Sequence, residues 1–172
     1  MRRLAGSLLS ALFLLSSGHA ARAQLVLSLD TKIAVPKSHH IGGGADARFG
    51  FRFGLPRAWR FHTVMFQPEV MAGDLFLPSL GKAEEAVTIS RRSIGGRAGL
   101  QFGKVDLFYY GHAGVSLSNR GIEAAYDQGG ALDLRFRVWS IGLHGGREWI
   151  EHRDSPGWWI GGLHGEYHWF AW

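Results

Sequence analysis

Cysteine is absent from the 172 residues. No disulfide framework, thiolate nucleophile or cysteine-based metal site is therefore available, and an exported form of the chain draws its stability from packing or from a bilayer. Long apolar runs are missing too. After residue 24 no stretch approaches the roughly 18 apolar residues that a membrane-spanning helix needs. An excess of charge is also lacking. The 19 Lys plus Arg exceed the 14 Asp plus Glu by five, but Arg2, Arg3 and Arg22 fall in an N-terminal leader; the remaining 16 against 14 leave +2. So small a surplus gives no electrostatic footprint for nucleic acid. There is no Gly-rich phosphate loop, EF-hand or dinucleotide fingerprint, and no cofactor is expected.

The leader is legible in the first 23 residues. Arg2 and Arg3 open it, Leu8 to Leu15 is an apolar run broken only by Ser10, and Ala21-Arg22-Ala23 has the small-x-small form of a cleavage site. This predicts a secretory signal peptide over 1–23 and a mature chain from Gln24, one domain over 24–172.

What is plentiful is glycine, with 25 residues, and aromatic side chains, with seven Trp and eleven Phe. Period-two alternation organises them. Ala45, Ala47, Phe49, Phe51, Phe53 and Leu55 fall on one face, with Asp46, Arg48, Gly50, Arg52 and Gly54 on the other. Side chains of a strand alternate faces, so this is a ribbon with one oily and one ionic side. The same holds for Leu25 to Val35, Val105 to Ser118, Leu132 to Val138, and Trp159 to Trp169 against His164, Glu166 and His168. Eight strands are predicted, at about 25–36, 43–55, 59–76, 86–102, 104–118, 122–137, 139–152 and 157–170, with ends uncertain by ~2–4 residues. Leu55-Pro56-Arg57-Ala58, Gly103-Lys104 and the region of Val138-Trp139 read as tight turns, and the intervening connections as mostly longer loops. Pro68 suggests a bulge or an edge-like irregularity. Val87 and Ile89 stand out of phase with Ile94 and Ala98, which suggests a second bulge near Arg91-Arg92. Arg147 takes an outward phase, tolerable only at a rim.

A soluble sandwich also alternates, with its oily face inward. Here the polar face carries Asp30, Lys32, Asp46, Arg48, Arg52, Glu69, Arg97, Asp133, Arg135, His144, Glu148, His164, Glu166 and His168, of both signs, suited to pairing within a lumen. A sheet spanning hydrocarbon must close on itself, and eight strands enclose a space that side chains just fill. Conduction should therefore be small. Trp59, Trp139, Phe102, Phe108 and Tyr109 toward the tight-turn end, and Phe76, Trp149, Trp158 and Trp159 toward the loop end, read as two aromatic girdles. The expected fold is an all-β, eight-stranded antiparallel up-and-down transmembrane β-barrel. A soluble periplasmic barrel that binds an apolar ligand is the alternative architecture.

With YYGHAGVSLS at 109–118, SIGLHGGREWI at 140–150 and WWIGGLHGEYHWF at 158–170, the mature chain resembles small outer membrane proteins of the OmpA-transmembrane-domain and OmpX type. The resemblance implies the bacterial outer membrane, a monomer, contact with outer-membrane lipids and lipopolysaccharide, and biogenesis through the barrel assembly machinery. That machinery reads a final strand closing on Phe or Trp; Tyr167 and Trp169 keep phase, while Trp172 is one residue out.

The residues raise two chemistries. The nine histidines include His39-His40 in the first loop and His112, His144, His164 and His168 in lumenal phase. Zinc needs three or four converging ligands, and nothing in this spacing enforces convergence, so hydrogen bonding to Asp and Glu is the expected role and no metal is expected. His112, Ser116, Ser118 and Glu123 raise a lipid A hydrolase, because the outer-membrane lipid A deacylases are eight-stranded barrels with a His-Ser-Glu constellation. Their His and Ser lie two apart on one strand. Here His112 and Ser116 are four apart, ~13 Å along a strand, beyond the reach that activates a hydroxyl. A non-enzymatic envelope role is the expectation. Lys82, Arg91, Arg92 and Arg153, toward the loop end, are the candidate contacts for lipopolysaccharide phosphates.

Overall fold

The computed structural model describes residues 22–36, 41–59, 62–79, 86–119, 121–151 and 157–170. Eight strands follow one another: β1 (Arg22–Val35), β2 (Gly42–Trp59), β3 (His62–Leu77), β4 (Val87–Phe102), β5 (Val105–Ser118), β6 (Gly121–Arg135), β7 (Trp139–Ile150) and β8 (Trp158–Phe170). Each pairs antiparallel with the next, and β8 returns to β1, from Gln24 opposite Phe170 to Val35 opposite Trp159, closing the barrel. Closure leaves no sheet edge with unpaired backbone groups. The leader expected over 1–23 lies outside the described residues except for Arg22 and Ala23, which open β1 opposite Gly54 and Phe53.

The parity of each strand decides what faces where. Leu132, Leu143 and Leu163 lie side by side across β6, β7 and β8 and are 45, 59 and 53% exposed. Glu148, Glu166 and Asp133, one residue out of step, are at 0%. The barrel is thus oily outside and ionic inside, the reverse of a soluble core. An outward apolar band on a closed sheet is the architecture of transmembrane β-barrels.

Four expectations about the strands are corrected. Leu55 to Ala58 do not form a turn; they continue β2, whose register shifts between Leu55 and Trp59. Pro68 sits in no bulge, but the irregularity expected there is present: β2 and β3 keep one register on either side of it while the ladder skips from Gly50–Glu69 to Phe53–Phe66, and its pairing with Gly96 is in line with the β3–β4 ladder. A proline lacks one ladder donor, which needs no inserted residue. β4 likewise runs unbroken through Arg91 and Arg92. Its odd residues all face the lumen, so Val87 and Ile89 are buried there. Finally, Phe108 and Trp158, assigned to the girdles, share the inward parity of Asp106 and Ile160 and are buried in the lumen. Trp139, Phe102, Tyr109, Phe76 and Trp159 do face outward.

The lumen is filled in tiers. At the loop end Ala34, Leu75, Leu77, Val87, Ile89 and Ile160, with Ala125, Ile150 and Trp158, form an apolar cap. Below it lies the ionic tier. Toward the turn end Met65, Phe108, Tyr110 and Ala131 form a second apolar cluster. Inward glycines make room for this filling. A side chain at Gly142 would collide with the Asp133 carboxylate and approach His164 Cε1 to 2.8 Å. At the β4–β5 turn, Gly103 has φ of 63°, a left-handed conformation that glycine adopts without a Cβ penalty.

Candidate functional site

The ionic tier is the one concentration of chemistry among the described residues. Alternation aims its side chains inward, and cross-strand register sets their heights. Arg48 of β2 approaches Asp30 of β1 through Nε at 2.6 Å and Nη2 at 2.7 Å, and Nη1 donates to Glu69 of β3 at 3.2 Å. Arg91 of β4 donates to Glu148 at 2.7 Å and to Asp127 at 2.9 Å. Lys32 lies 2.7 Å from Asp46 and 3.6 Å from Glu148. Arg52 spans the lumen, donating to Gln67, Asp106 and Glu166 at 3.0, 3.0 and 3.1 Å. Arg97 sits 2.7 Å from Glu166, 3.3 Å from Glu69 and 3.8 Å from Asp133. The Arg52 and Arg97 guanidiniums also lie 5.0 and 5.8 Å from the centroid of the Phe108 ring, within cation–π range.

Histidines complete the network. His112 has Nδ1 at 2.7 Å from Asp127 and Nε2 at 2.7 Å from Glu69. Ionised carboxylates only accept, so both bonds are made together when the ring carries both protons. His164 Nε2 stands 2.7 Å from Asp133 Oδ1 without hydrogen-bond alignment. His168 Nε2 is 3.0 Å from the Ser140 hydroxyl. His144 is half-buried, its ring tilted by 32° against that of His164 and nearly perpendicular, at 84°, to that of Tyr110.

All the residues expected in the lumen, Asp46, Arg48, Arg52, Glu69, Arg97, Asp133, Arg135, His144, Glu148, His164, Glu166 and His168, carry inward parity. Arg135 reaches toward the turn end, where it donates to the Gly103 carbonyl at 3.2 Å. Asp106, Asp127 and Arg91 are partners that the sequence reading did not assign to the network. Carrying parity back from Asp133 reaches Asp127, and from Arg97 reaches Arg91.

The loop-end cations divide. Arg91, expected at the lipid headgroups, is instead 1% exposed inside the barrel, because β4 needs no bulge. Arg92 does face outward. Lys82 and Arg153 lie outside the described residues, as do His39, His40 and Trp172. Arg147 takes its rim position, its guanidinium 5.2 Å from the Trp159 ring and 5.7 Å from that of Trp149.

Of the hydrolase candidates, His112 and Ser116 are each engaged elsewhere. His112 is engaged by two carboxylates, and the fully buried Ser116 hydroxyl is directed to the Glu123 backbone carbonyl at 3.4 Å. Asp133, His164 and Glu166 bring three potential ligand atoms within 4.8 Å of one another. The positive charge they meet comes from Arg97 and Arg52. A lumenal cavity bordered by Asp30, Lys32, Tyr110 and His144 has about 20 Å³, room for about one water.

A closed barrel, apolar without and ion-paired within, defines the class: an outer-membrane-type β-barrel with a filled lumen. No protein-family model matches the chain, and no curated protein matches it. Among solved structures it is similar to the crystal structure of the outer membrane enzyme PagL, with 11% identity over 84% of this chain and 99% of that one, at a TM-score of 0.46. A likeness of that size carries nothing about activity.

Proposed function

We propose that the chain is a non-enzymatic, monomeric barrel of the bacterial outer membrane, of the OmpA-transmembrane-domain or OmpX type, with a structural or surface-interaction role in the envelope. One observation carries this reading. Among the described residues the buried inward arginines and Lys32 each meet a carboxylate, while the outward wall is mainly apolar. A hydrolase needs a nucleophile beside a base and open to substrate; Ser116 is sealed in the lumen and His112 is held by Asp127 and Glu69. The filled lumen leaves the outer wall, which meets outer-membrane lipid and lipopolysaccharide, and the loops, as the surfaces through which such a protein acts.

Two measurements test the proposal. Membranes of expressing cells washed with carbonate or urea are expected to retain the protein, and unboiled samples to migrate on a gel as a folded species. Release into the wash would return the soluble-barrel reading. Lipid A from cells with and without the protein is expected to give one acyl pattern by mass spectrometry; loss of an acyl chain would restore the hydrolase.

A further inference from the structure

We infer that the outer wall of β2 to β5 is a binding site for a phosphorylated acyl lipid, its phosphate on Arg92 and one acyl chain in the groove alongside. This rests on the outer-membrane reading above and assigns a particular lipid contact to it.

The outward face of β4 changes character at Arg92. Thr88 and Ser90 precede it toward the loops, and Ile94, Ala98, Leu100 and Phe102 follow it toward the turns. Arg92 stands opposite Ala72 of β3 and Val115 of β5. Ala47, opposite Ala72, continues this line of small side chains onto β2. Phe49, Val70 and Ile94 stand beside that line as a taller row, again in register across three strands. The step between the rows leaves an apolar groove of about 680 Å³, with Arg92 in its lining.

The charge of Arg92 is what makes the groove selective. Each buried arginine meets at least one carboxylate. Arg92 meets none among the described residues; its Nη1 donates to the Arg91 carbonyl at 2.6 Å, and the rest of the fork is unused. An exposed guanidinium at the boundary between the polar and apolar stretches of a membrane wall calls for an anion that enters with a hydrocarbon tail. Phosphate oxygens match the planar fork of arginine donors. The loop end is the outward end in this class of barrel, so the lipid is the phosphorylated glycolipid of the outer leaflet.

The test uses the full mature chain, native mass spectrometry, and two probes: bisphosphorylated lipid A and its dephosphorylated form. The wild-type barrel is expected to retain one phosphorylated lipid through detergent release. Arg92→Gln should weaken retention of that probe by about tenfold or more, the loss of one charged hydrogen-bonding partner, and leave the dephosphorylated probe unchanged. Ala72→Trp fills the groove and should weaken both. Both side chains face outward, so folding is checked by gel migration of unboiled samples. Equal retention by Arg92→Gln and wild type overturns the phosphate site, and equal retention by Ala72→Trp overturns the groove. If the wild-type chain does not insert into vesicles, the outer-membrane reading falls and takes this site with it. If it inserts and the variants bind as wild type does, only the lipid site falls.

Discussion

Arg97 and Glu166 meet at 2.7 Å with both side chains at 0% exposure, and their surroundings decide what that contact is worth. Removing charges from water is costly, and attraction between them restores the loss only when every partner is present. Glu166 also serves Arg52, and Arg97 also serves Glu69. Either single deletion leaves an opposite charge in the lumen without its nearest partner. Arg97→Met and Glu166→Leu are each expected to destabilise the barrel by about 3–5 kcal/mol. The double variant should cost less than the sum of the two, because each removes the charge that the other leaves stranded. Urea unfolding of the protein refolded into vesicles measures all three. Additive losses would mean that the pair is not coupled. The same reasoning applies to Asp127: it accepts from Arg91 at 2.9 Å and meets His112 at 2.7 Å, so its loss takes one partner from each and leaves Arg91 to Glu148 and His112 to Glu69.

At the scale of the strand, β4 shows where reading from sequence succeeds and where it stops. Its phase is set by Arg97, Gly95, Ser93 and Arg91, and continues to Ile89 and Val87 without a break. A reading that sends every apolar residue outward puts Val87 and Ile89 on the wrong wall. Their inward position depends on Leu75, Leu77, Ile150 and Ile160 from three other strands, which together cap the lumen. No pattern within β4 contains that information. The eight strands and the inward parity of the ionic residues were legible because alternation is a local property. The pairs themselves were not, since Arg52 and Glu166 lie 114 residues apart and meet only once the barrel closes. Two girdle assignments failed in the same way as β4, while Trp139, Phe102, Tyr109, Phe76 and Trp159 do face outward: Phe108 and Trp158 are bulky and near strand ends, but parity, not size, sets the wall they occupy. The continuous register makes a sharp prediction. Ile89→Lys places a charge in the apolar cap and should cost more than about 3 kcal/mol, whereas Thr88→Lys, one residue away and outward at the loop end, should change stability by less than about 1 kcal/mol. A bulge near Arg91 would reverse the two, and equilibrium unfolding of the pair distinguishes the cases.

For the molecule as a whole, the central property is that its hydrophobic surface is outside, and a single outward position tests what that surface meets. Leu143 lies on β7 roughly midway between Trp139 and Trp149, which stand near opposite ends of the strand. It is flanked in register by Leu132 and Leu163. If hydrocarbon covers this ladder, an arginine there lies near the midplane of the apolar band, too far from either surface for its charge to reach water cheaply. The cost for a lipid-facing strand residue at the midplane is about 2–4 kcal/mol, falling to about 0–1 kcal/mol near the interfaces. If water covers it, Leu143→Arg exchanges one exposed side chain for another, a change usually within about 0.5 kcal/mol. The two cases separate in vesicles, where Leu143→Arg should unfold at markedly lower urea than wild type. A paired variant supplies the depth control: Phe102→Arg, outward beside the β4–β5 turn, should lose much less. The graded response follows from a bilayer with a thickness and a centre, and a protein in water has neither. Equal stability of Leu143→Arg and wild type would mean that the apolar wall is covered by something other than hydrocarbon.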